Sequence, residues 1–371
     1  MNIPLKKSDF VLAPYMRSDD LRASIQILNT VIPYIGLWIL AVKAAAISLW
    51  LLPPIIILIV LFSLRCFSLM HDCGHYSLFR SKQVNRAVGF LLGLINAIPQ
   101  YAWSRDHAYH HKTNGNWELY RGVADFLSTD EFSQLSASAQ RNYEVLRHPL
   151  MAIPGGFFYL AIQPRLGLLI GAYDFVGHLW ISVQKKSTMG LKQIIFSHHS
   201  KHWQSSAEFW DILLNNICVI GGCFLLGHLV GFKLFFSLYS MVLTLSATIF
   251  IWIFFVQHIF EDVYAHKTDG WDYLLGAVDG SSLLKLPAVL NWFTADIGYH
   301  NIHHLSERIP NYHLKACQRE NDHLLSTVKT LRMADMLDCA RYILWDPEAS
   351  SLVTVQSFRQ RAQARVYQGV A

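Results

Sequence analysis

Residues 54–75 read PIIILIVLFSLRCFSLMHDCGH. The run from Pro54 to Met70 is apolar enough to enter a bilayer, where a crossing helix needs about 17–25 residues. It continues with no break until Gly74 into His71 and His75. Side chains four apart on a helix share one face, so these two imidazoles can grip a single metal ion. Imidazole is a nitrogen ligand suited to Zn, Cu, Fe and Ni.

Two more clusters repeat the theme. His107, His110 and His111 form one HxxHH pattern, and His300, His303 and His304 form a second. Each set is spaced i, i+3, i+4, again one side of a helix. The eight imidazoles exceed what one zinc ion takes, since structural zinc closes at four ligands and favours cysteine. Two metal ions with four or five nitrogens each fit the count better. Redox-active iron suits such a site if it activates dioxygen. His258 follows the last apolar run at the same membrane face and is a candidate ninth ligand, because ionisable groups at membrane depth tend to be functional.

The apolar sequence extends well beyond the opening stretch. From Ile27 to Met70 it is nearly continuous, too long for one span of roughly 20 residues. Pro53-Pro54 supplies a break, because proline removes a helical donor and restricts its neighbour. The expected spans are residues 30–49 and 54–70, with Lys43 snorkelling to the interface. A second pair is expected at 211–230 and 234–256, turning at Gly231 and Lys233. Val84–Trp103, interrupted by Asn96 and Pro99, reads as interfacial. So does Leu150–Gly171, interrupted by Pro154, Gly155, Gly156, Pro164 and Arg165; both are expected to be interfacial or partly embedded helices rather than full spans. There is no solenoid repeat and no low-complexity segment.

Composition agrees. The 371 residues are 53% hydrophobic and 15% charged, against about 25% charged in soluble domains. The net charge of +5 is mild and dispersed, so no nucleic-acid partner is expected. No apolar run follows the basic N-terminus directly, so no cleaved signal peptide is expected. The six cysteines form no CxxC pair and read as reduced and structural. Lys6, Lys7, Arg17 and Arg22 precede the first span. Arg80, Arg86, Arg105, Lys112, Lys185, Lys186, Lys192 and Lys201 lie between the hairpins, and Lys267, Lys285, Arg308, Lys315 and Arg319 follow the last span. The positive-inside rule places all three regions, and every histidine cluster, on the cytoplasmic side of what reads as a bacterial inner membrane.

The expected architecture is therefore an all-α integral membrane protein. Four membrane-crossing helices form two hairpins, and a cytoplasmic helical cap holds the histidine-rich metal site. One unit covers residues 1–371, with 71–210 and 257–371 cytoplasmic or interfacial. Asp72, Asp106, Glu261, Asp262 and Asp296 either orient ligand N–H groups or are ordinary polar interface residues. His198, His199 and His202 imitate a reversed box but sit among Lys192 and Lys201, where a solvated or headgroup-facing segment is the simpler account. His148, His178, His228, His266, His313 and His323 stand alone and read as structural.

These boxes, in this order and between two apolar hairpins, resemble the integral-membrane fatty acid desaturases. The likeness extends to Arg65-Cys-Phe before the first box, Phe255-Val-Gln-His258 with Phe260-Glu-Asp, Trp292-Phe-Thr before the third box, and His303-His304-Leu-Ser-Glu-Arg308-Ile-Pro-Asn-Tyr312. It covers roughly residues 33–312 and is nearest the acyl-lipid group that contains the Δ12 (omega-6) enzymes. Asp296 departs from the pattern, standing where asparagine is expected. The resemblance implies a non-haem di-iron centre held by His71, His75, His107, His110, His111, His300, His303 and His304, with His258 matching an additional histidine. It also implies O2-dependent formation of a cis double bond in a lipid-linked acyl chain, with electrons from a ferredoxin or a cytochrome b5-like donor. The 22 Phe, 16 Tyr and 11 Trp can line an acyl tunnel. A lipid or carotenoid hydroxylase, a ketolase or an alkane monooxygenase would share the scaffold, since hydroxylation also begins with hydrogen abstraction. A histidine-rich metal transporter is disfavoured, because transporters gather their sites at mid-membrane.

Overall fold

The computed structural model describes residues 5–119, 125–184 and 190–369. Lys185 and Lys186, counted above for orientation, lie outside the described residues. The first hairpin is helix α1 (Asp20–Ile47) and helix α2 (Leu52–Gly74). Asp19 starts α1 by accepting from the backbone N–H groups of Leu21 and Arg22, which satisfies two donors that a helix start leaves open. The turn falls at residues 48–51, where the Ser48 hydroxyl accepts from Trp50 N. Pro53 and Pro54 are therefore not the turn itself. They occupy the first turn of α2, where the missing N–H groups would be unpaired anyway.

Helix α3 (Lys82–Ile95) and helix α4 (Gln100–Thr113) follow, each 14 residues long and too short to cross. Asn96 and Pro99 lie between them. Short helices α5 (Thr129–Gln134) and α6 (Ala137–Leu146) lead to α7 (Ala152–Phe157). A π-turn at Phe158–Ile162 carries α7 into α8 (Gln163–Gln184). Helix α9 (Leu191–Ser197) precedes the second hairpin, α10 (Ser206–Val230) and α11 (Phe232–His258). Gly231 makes that turn alone at φ 98°, a backbone angle that glycine takes without steric penalty. Lys233 is already helical.

Among the described residues, five helical stretches are long and apolar enough to cross a membrane: Asp20–Ile47, Leu49–Gly74, Pro149–Gln184, Ser206–Val230 and Phe232–His258. The third runs as one helical stretch through Leu150–Gly171, where the sequence suggests interruptions. Because His71 and His75 at the end of α2 meet His258 at the end of α11, the two hairpins return to one face and this stretch enters and leaves on that same side. Each expected interruption is accommodated within the helix. Pro154 sits in the first turn of α7, where proline costs little. Pro164 follows directly on the π-turn Phe158–Ile162, where the regular i→i−4 ladder is already interrupted. Arg165 donates to the carbonyls of Ala97 at 2.7 Å and Leu160 at 3.1 Å. Gly156 lets α7 approach α11; a Cβ there would lie 2.9 Å from Ala247 Cβ. Without a hydrophobic drive between helices in lipid, such small residues permit the close packing that holds membrane helices together.

The chain is mostly helical rather than all-α. A three-stranded sheet runs in the order β1 (Leu127–Ser128), β4 (Tyr342–Asp346), β5 (Ser351–Thr354), and a parallel pair joins β2 (Leu283–Lys285) to β3 (Thr330–Arg332). β1, β2 and β3 span only two or three residues, and β4 and β5 bury consecutive rather than alternating residues, so none carries a clear strand period. The remaining helices are α12 (Tyr273–Val278), α13 (Ala288–Phe293), α14 (His300–Leu305), α15 (Asn311–Glu320), α16 (Met336–Cys339) and α17 (Val355–Gly369). Arg65, 2% exposed, ties this part to the spans. Its guanidinium stacks 3.9 Å from the Trp292 ring centroid, bonds the Trp292 carbonyl, and donates to Thr30 Oγ1 at 3.0 Å. The main cluster beside the site packs Cys66, Leu69, Met70 and Cys73 of α2 against Leu92, Leu160, Leu243 and Ala247. All six cysteines are free.

Candidate metal centre

Four elements bring histidines to one place. The end of α2 carries His71, and His75 caps it before the chain turns through Tyr76 at φ 56°. Helix α4 carries His107, His110 and His111. Its first turn is capped from outside, because Asp211 of α10 accepts from Tyr101 N at 2.9 Å and Ala102 N at 3.3 Å. His258 is the last residue of α11. Helix α14 carries His300, His303 and His304 and follows a tight turn in which Ala295 and Asp296 hold φ 48° and 54°. Such left-handed non-glycine residues cost of order 1–3 kcal/mol each and persist only where the surroundings enforce them. Gln257, next to His258, enforces this one by donating to the Ile297 carbonyl at 2.7 Å.

The nine histidines sort into two groups. His71, His75, His107, His111 and His303 form one; His110, His258, His300 and His304 form the other. Within each group the candidate ligand atoms lie within 4.8 Å of one another. In the four-histidine group the Nε2 atoms close a ring: His110 to His258 3.1 Å, His258 to His300 2.9 Å, His300 to His304 3.2 Å, His304 to His110 3.2 Å. In the five-histidine group, His71 to His107 is 2.8 Å, His107 to His111 3.1 Å and His111 to His303 3.0 Å. His75 faces the same centre, its ring 4.7 Å from that of His71 and 4.7 Å from that of His111.

These distances fit metal ligation better than mutual hydrogen bonding. Metal–imidazole bonds of about 2.0–2.1 Å at right angles put neighbouring nitrogens about 3.0 Å apart. A neutral imidazole has one donor and one acceptor nitrogen. Each Nε2 of the closed ring meets two others, and one N–H cannot serve both. A cation at the centre, facing four lone pairs, removes the conflict.

Burial and neighbouring imidazoles hold His107, His110, His111, His300, His303 and His304 well below the usual histidine range. They are neutral near pH 7, as metal ligands must be. Three outward Nδ1 atoms have partners that fix the ring orientation. His71 Nδ1 meets Asp72 Oδ1 at 3.2 Å, His75 Nδ1 meets Glu307 Oε2 at 3.3 Å, and His258 Nδ1 meets the Gly280 carbonyl at 3.1 Å. Asp72 is itself held by Asn311, whose backbone N and Nδ2 donate at 2.8 and 2.9 Å. The bond to His75 keeps the Glu307 carboxyl below its ordinary range.

Of the five acids considered from sequence, Asp72 touches a site histidine. Asp106 pairs with Arg105, Glu261 with Tyr342, and Asp262 with Lys329. Asp296 faces Arg65 and Lys315 electrostatically, and burial raises its pKa. Glu307 and Gly280 were not singled out. Glu307 stands three residues after His304, and its acidic character beside the third box was the available signal. Gly280 acts through its carbonyl, which no residue type announces. Among the described residues, His198, His199 and His202 belong to neither group; the His198 ring packs against Phe175 and His178.

A cavity of about 620 Å³ opens against both groups. Its wall includes His71 and His107 of one group and His110 and His300 of the other, with Phe67, Trp103, Phe250 and Phe254. Leu64, Leu160 and Ala247, each at most 3% exposed, line its deep part, and Arg105, Asp106, Gln163 and Gln204 give it a polar part.

The fold and site thus define a class of protein: a bundle of helices apolar and long enough to cross a membrane, whose ends gather two histidine groups able to bind metal beside an apolar cavity. The chain belongs to the fatty acid desaturase family, whose sequence model, described as "Fatty acid desaturase", matches residues 47–333 and so all nine histidines. A protein of Bacillus subtilis (strain 168) named "Fatty acid desaturase" is 29% identical over 351 residues, 94% of this chain and 90% of the relative. An endoplasmic-reticulum omega-3 fatty acid desaturase of Nicotiana tabacum is 24% identical over 67% of this chain and 59% of its own length. An "sn-1 acyl-lipid omega-3 desaturase (ferredoxin)" of Nostoc sp. (strain 36) is 25% identical over 67% of this chain and 61% of its own length. The chain is an oxidoreductase of the fatty acid desaturase type.

Proposed function

We propose that residues 1–371 act as one membrane acyl-lipid desaturase, in which the nine histidines hold two iron ions, five on one and four on the other. The observation that carries this reading is the shared cavity. It has the size of pockets that bury drug-sized ligands, about 300–1,000 Å³, and histidines of both groups form part of its wall. An acyl chain laid in it passes directly beside the metal pair. The iron pair would supply the oxidising power that an unactivated methylene requires, using O2.

The protein's own residues bind and orient. Trp103 stacks on His107 at 4.7 Å and 14°, and Phe254 packs 5.0 Å from His110 and 5.1 Å from His258. They give the reacting chain an apolar bed, exclude water, and limit rotation of the ligand rings. The buried Leu64, Leu160 and Ala247 receive the methyl end. Arg105, Asp106, Gln163 and Gln204 face the carboxyl ester and glycerolipid headgroup. The product is a cis double bond. The ferredoxin named for the Nostoc relative supports a ferredoxin-type donor. The distribution of lysine and arginine supports a plasma-membrane location with the histidines on the cytoplasmic side.

The test is expression in a host of defined lipid composition, with new double bonds mapped by gas chromatography–mass spectrometry and iron counted on the purified protein. A new double bond and about two irons per chain are expected, since each histidine group suits one ion. Hydroxylated acyl chains without a new double bond would replace this reading with the hydroxylase one.

A further inference from the structure

Desaturation needs two electrons that neither the acyl chain nor O2 supplies: –CH2–CH2– + O2 + 2 e⁻ + 2 H⁺ gives –CH=CH– + 2 H2O. They arrive from a separate protein, so part of the surface must bring a carrier close to the histidines. One exposed patch reaches both groups through single residues. The Glu307 side chain, 44% exposed, contacts His75 Nδ1 at 3.3 Å. Tyr273, 36% exposed, donates its hydroxyl to the His304 carbonyl at 3.1 Å. His75 belongs to the five-histidine group and His304 to the four-histidine group.

The rim of this patch is positive. Lys7 Nζ lies 5.0 Å from the Tyr273 ring centroid and interacts electrostatically with Glu307, as does the exposed Lys112 beside His111. The segment carrying Lys7 is anchored: Phe10 and Leu12 are buried against the α14–α15 region, and Val11 N donates to Asn321 Oδ1 at 2.7 Å. Glu307 turns its carboxylate inward to His75. Asp9 and Asp272 are engaged by backbone N–H groups of their own turns, Lys6 N at 2.8 Å and Leu275 N at 2.9 Å. The rival basic segment around Lys192 and Lys201 has no such route, since its His198 packs on His178 and Phe175.

We propose that Lys7, Lys112, Tyr273 and Glu307 form the docking surface for a small acidic one-electron carrier protein, with electrons entering at the Glu307–His75 and Tyr273–His304 contacts. This rests on the desaturase reading. Each turnover takes two encounters, one electron apiece. Electron-transfer encounters use small interfaces, and opposed charges speed and orient them.

The test uses the purified full chain in lipid nanodiscs, driven either by a plant-type [2Fe–2S] ferredoxin with its reductase or by reduced methyl viologen. In the K7E/K112E variant, the KM for ferredoxin rises about tenfold or more and its salt dependence flattens, as expected when steering charges reverse. The ratio of ferredoxin-driven to viologen-driven turnover falls accordingly, while iron content reports that the site has assembled. K7Q/K112Q gives an intermediate value. An unchanged ferredoxin KM in K7E/K112E, or a larger rise in K192E/K201E, overturns the proposal. Wild-type protein that desaturates with neither donor overturns the desaturase reading and this one with it.

Discussion

His110 and His111 are adjacent in sequence but belong to different metal groups. His110 Nε2 lies 3.1 Å from that of His258, whereas His111 Nε2 lies 3.0 Å from that of His303. The helix dictates the split. Positions i and i+4 nearly align, while i+3 and i+4 differ by about 100° around the axis. His107 and His111 therefore face one centre and His110 the other. In α14, His300 and His304 share a centre and His303 crosses to its neighbour. The second and third boxes each contribute to both groups, so the two sites are built as a unit.

Replacing either neighbour should damage a different ion. His110→Ala and His111→Ala are each expected to lower bound iron from about two to about one per chain and to cut desaturation by more than 100-fold, exceeding the 10–100-fold usual for outer-sphere changes. Elemental analysis and product quantification check this. His199→Ala should retain most of the activity, and a loss comparable to that of His110→Ala would refute the grouping.

Glu307→Gln keeps a hydrogen-bonding group opposite His75 but removes the charge that orients its ring. Metal affinity should fall by roughly 10–100-fold, read by competition with a chromophoric chelator. The helix content should be unchanged, because Glu307 lies outside the buried apolar clusters. Unaltered affinity would make the 3.3 Å contact incidental.

Chelation should loosen the whole assembly. Helices α2, α4, α11 and α14 converge through neutral imidazoles, and an ion bound only to the folded chain stabilises it by about 4 kcal/mol at 1,000 times its Kd. Removing metal is expected to lower the midpoint of thermal unfolding in detergent and to increase proteolysis near residues 295–305, with Fe(II) restoring both. A midpoint indifferent to chelator would mean that the histidines are held by protein packing alone.

Gly156→Val places branched carbon where even a Cβ would meet Ala247 at 2.9 Å. Overpacking of this kind costs about 1–3 kcal/mol. Because Ala247, Tyr159 and Leu160 line the cavity, shifting α7 away from α11 should also reduce acyl turnover while leaving iron content intact. Lipid product analysis beside iron counting separates the two effects. Wild-type turnover would show that the fifth apolar helix does not shape the cavity.

Much was readable from the chain itself. Apolar runs located both hairpins, spacing identified eight of the histidines, and the position of His258 after the last apolar run identified the ninth, because hydrophobicity and helical periodicity are local properties. The same local logic placed breaks within Leu150–Gly171, where the helix runs on. Its prolines and glycines read as breaks, but the first turn of α7 tolerates Pro154, the π-turn accommodates Pro164, and Gly156 is required by a neighbour, α11, 91 residues away from it at Ala247. The short strands carried too few residues to announce themselves.

The sequence by itself determined that histidine clusters able to bind metal lie at the end of membrane-entering helices. Imidazole chemistry, helical spacing and apolar length are properties of the residues and of the segments they form. Only the tertiary structure decided how nine histidines divide into groups of five and four, and that Glu307 and the Gly280 carbonyl contact two of them. It also decided that one apolar cavity touches both groups. Those facts depend on distances between α2, α4, α11 and α14, elements separated by up to some two hundred residues, and no local pattern encodes a distance that only packing sets.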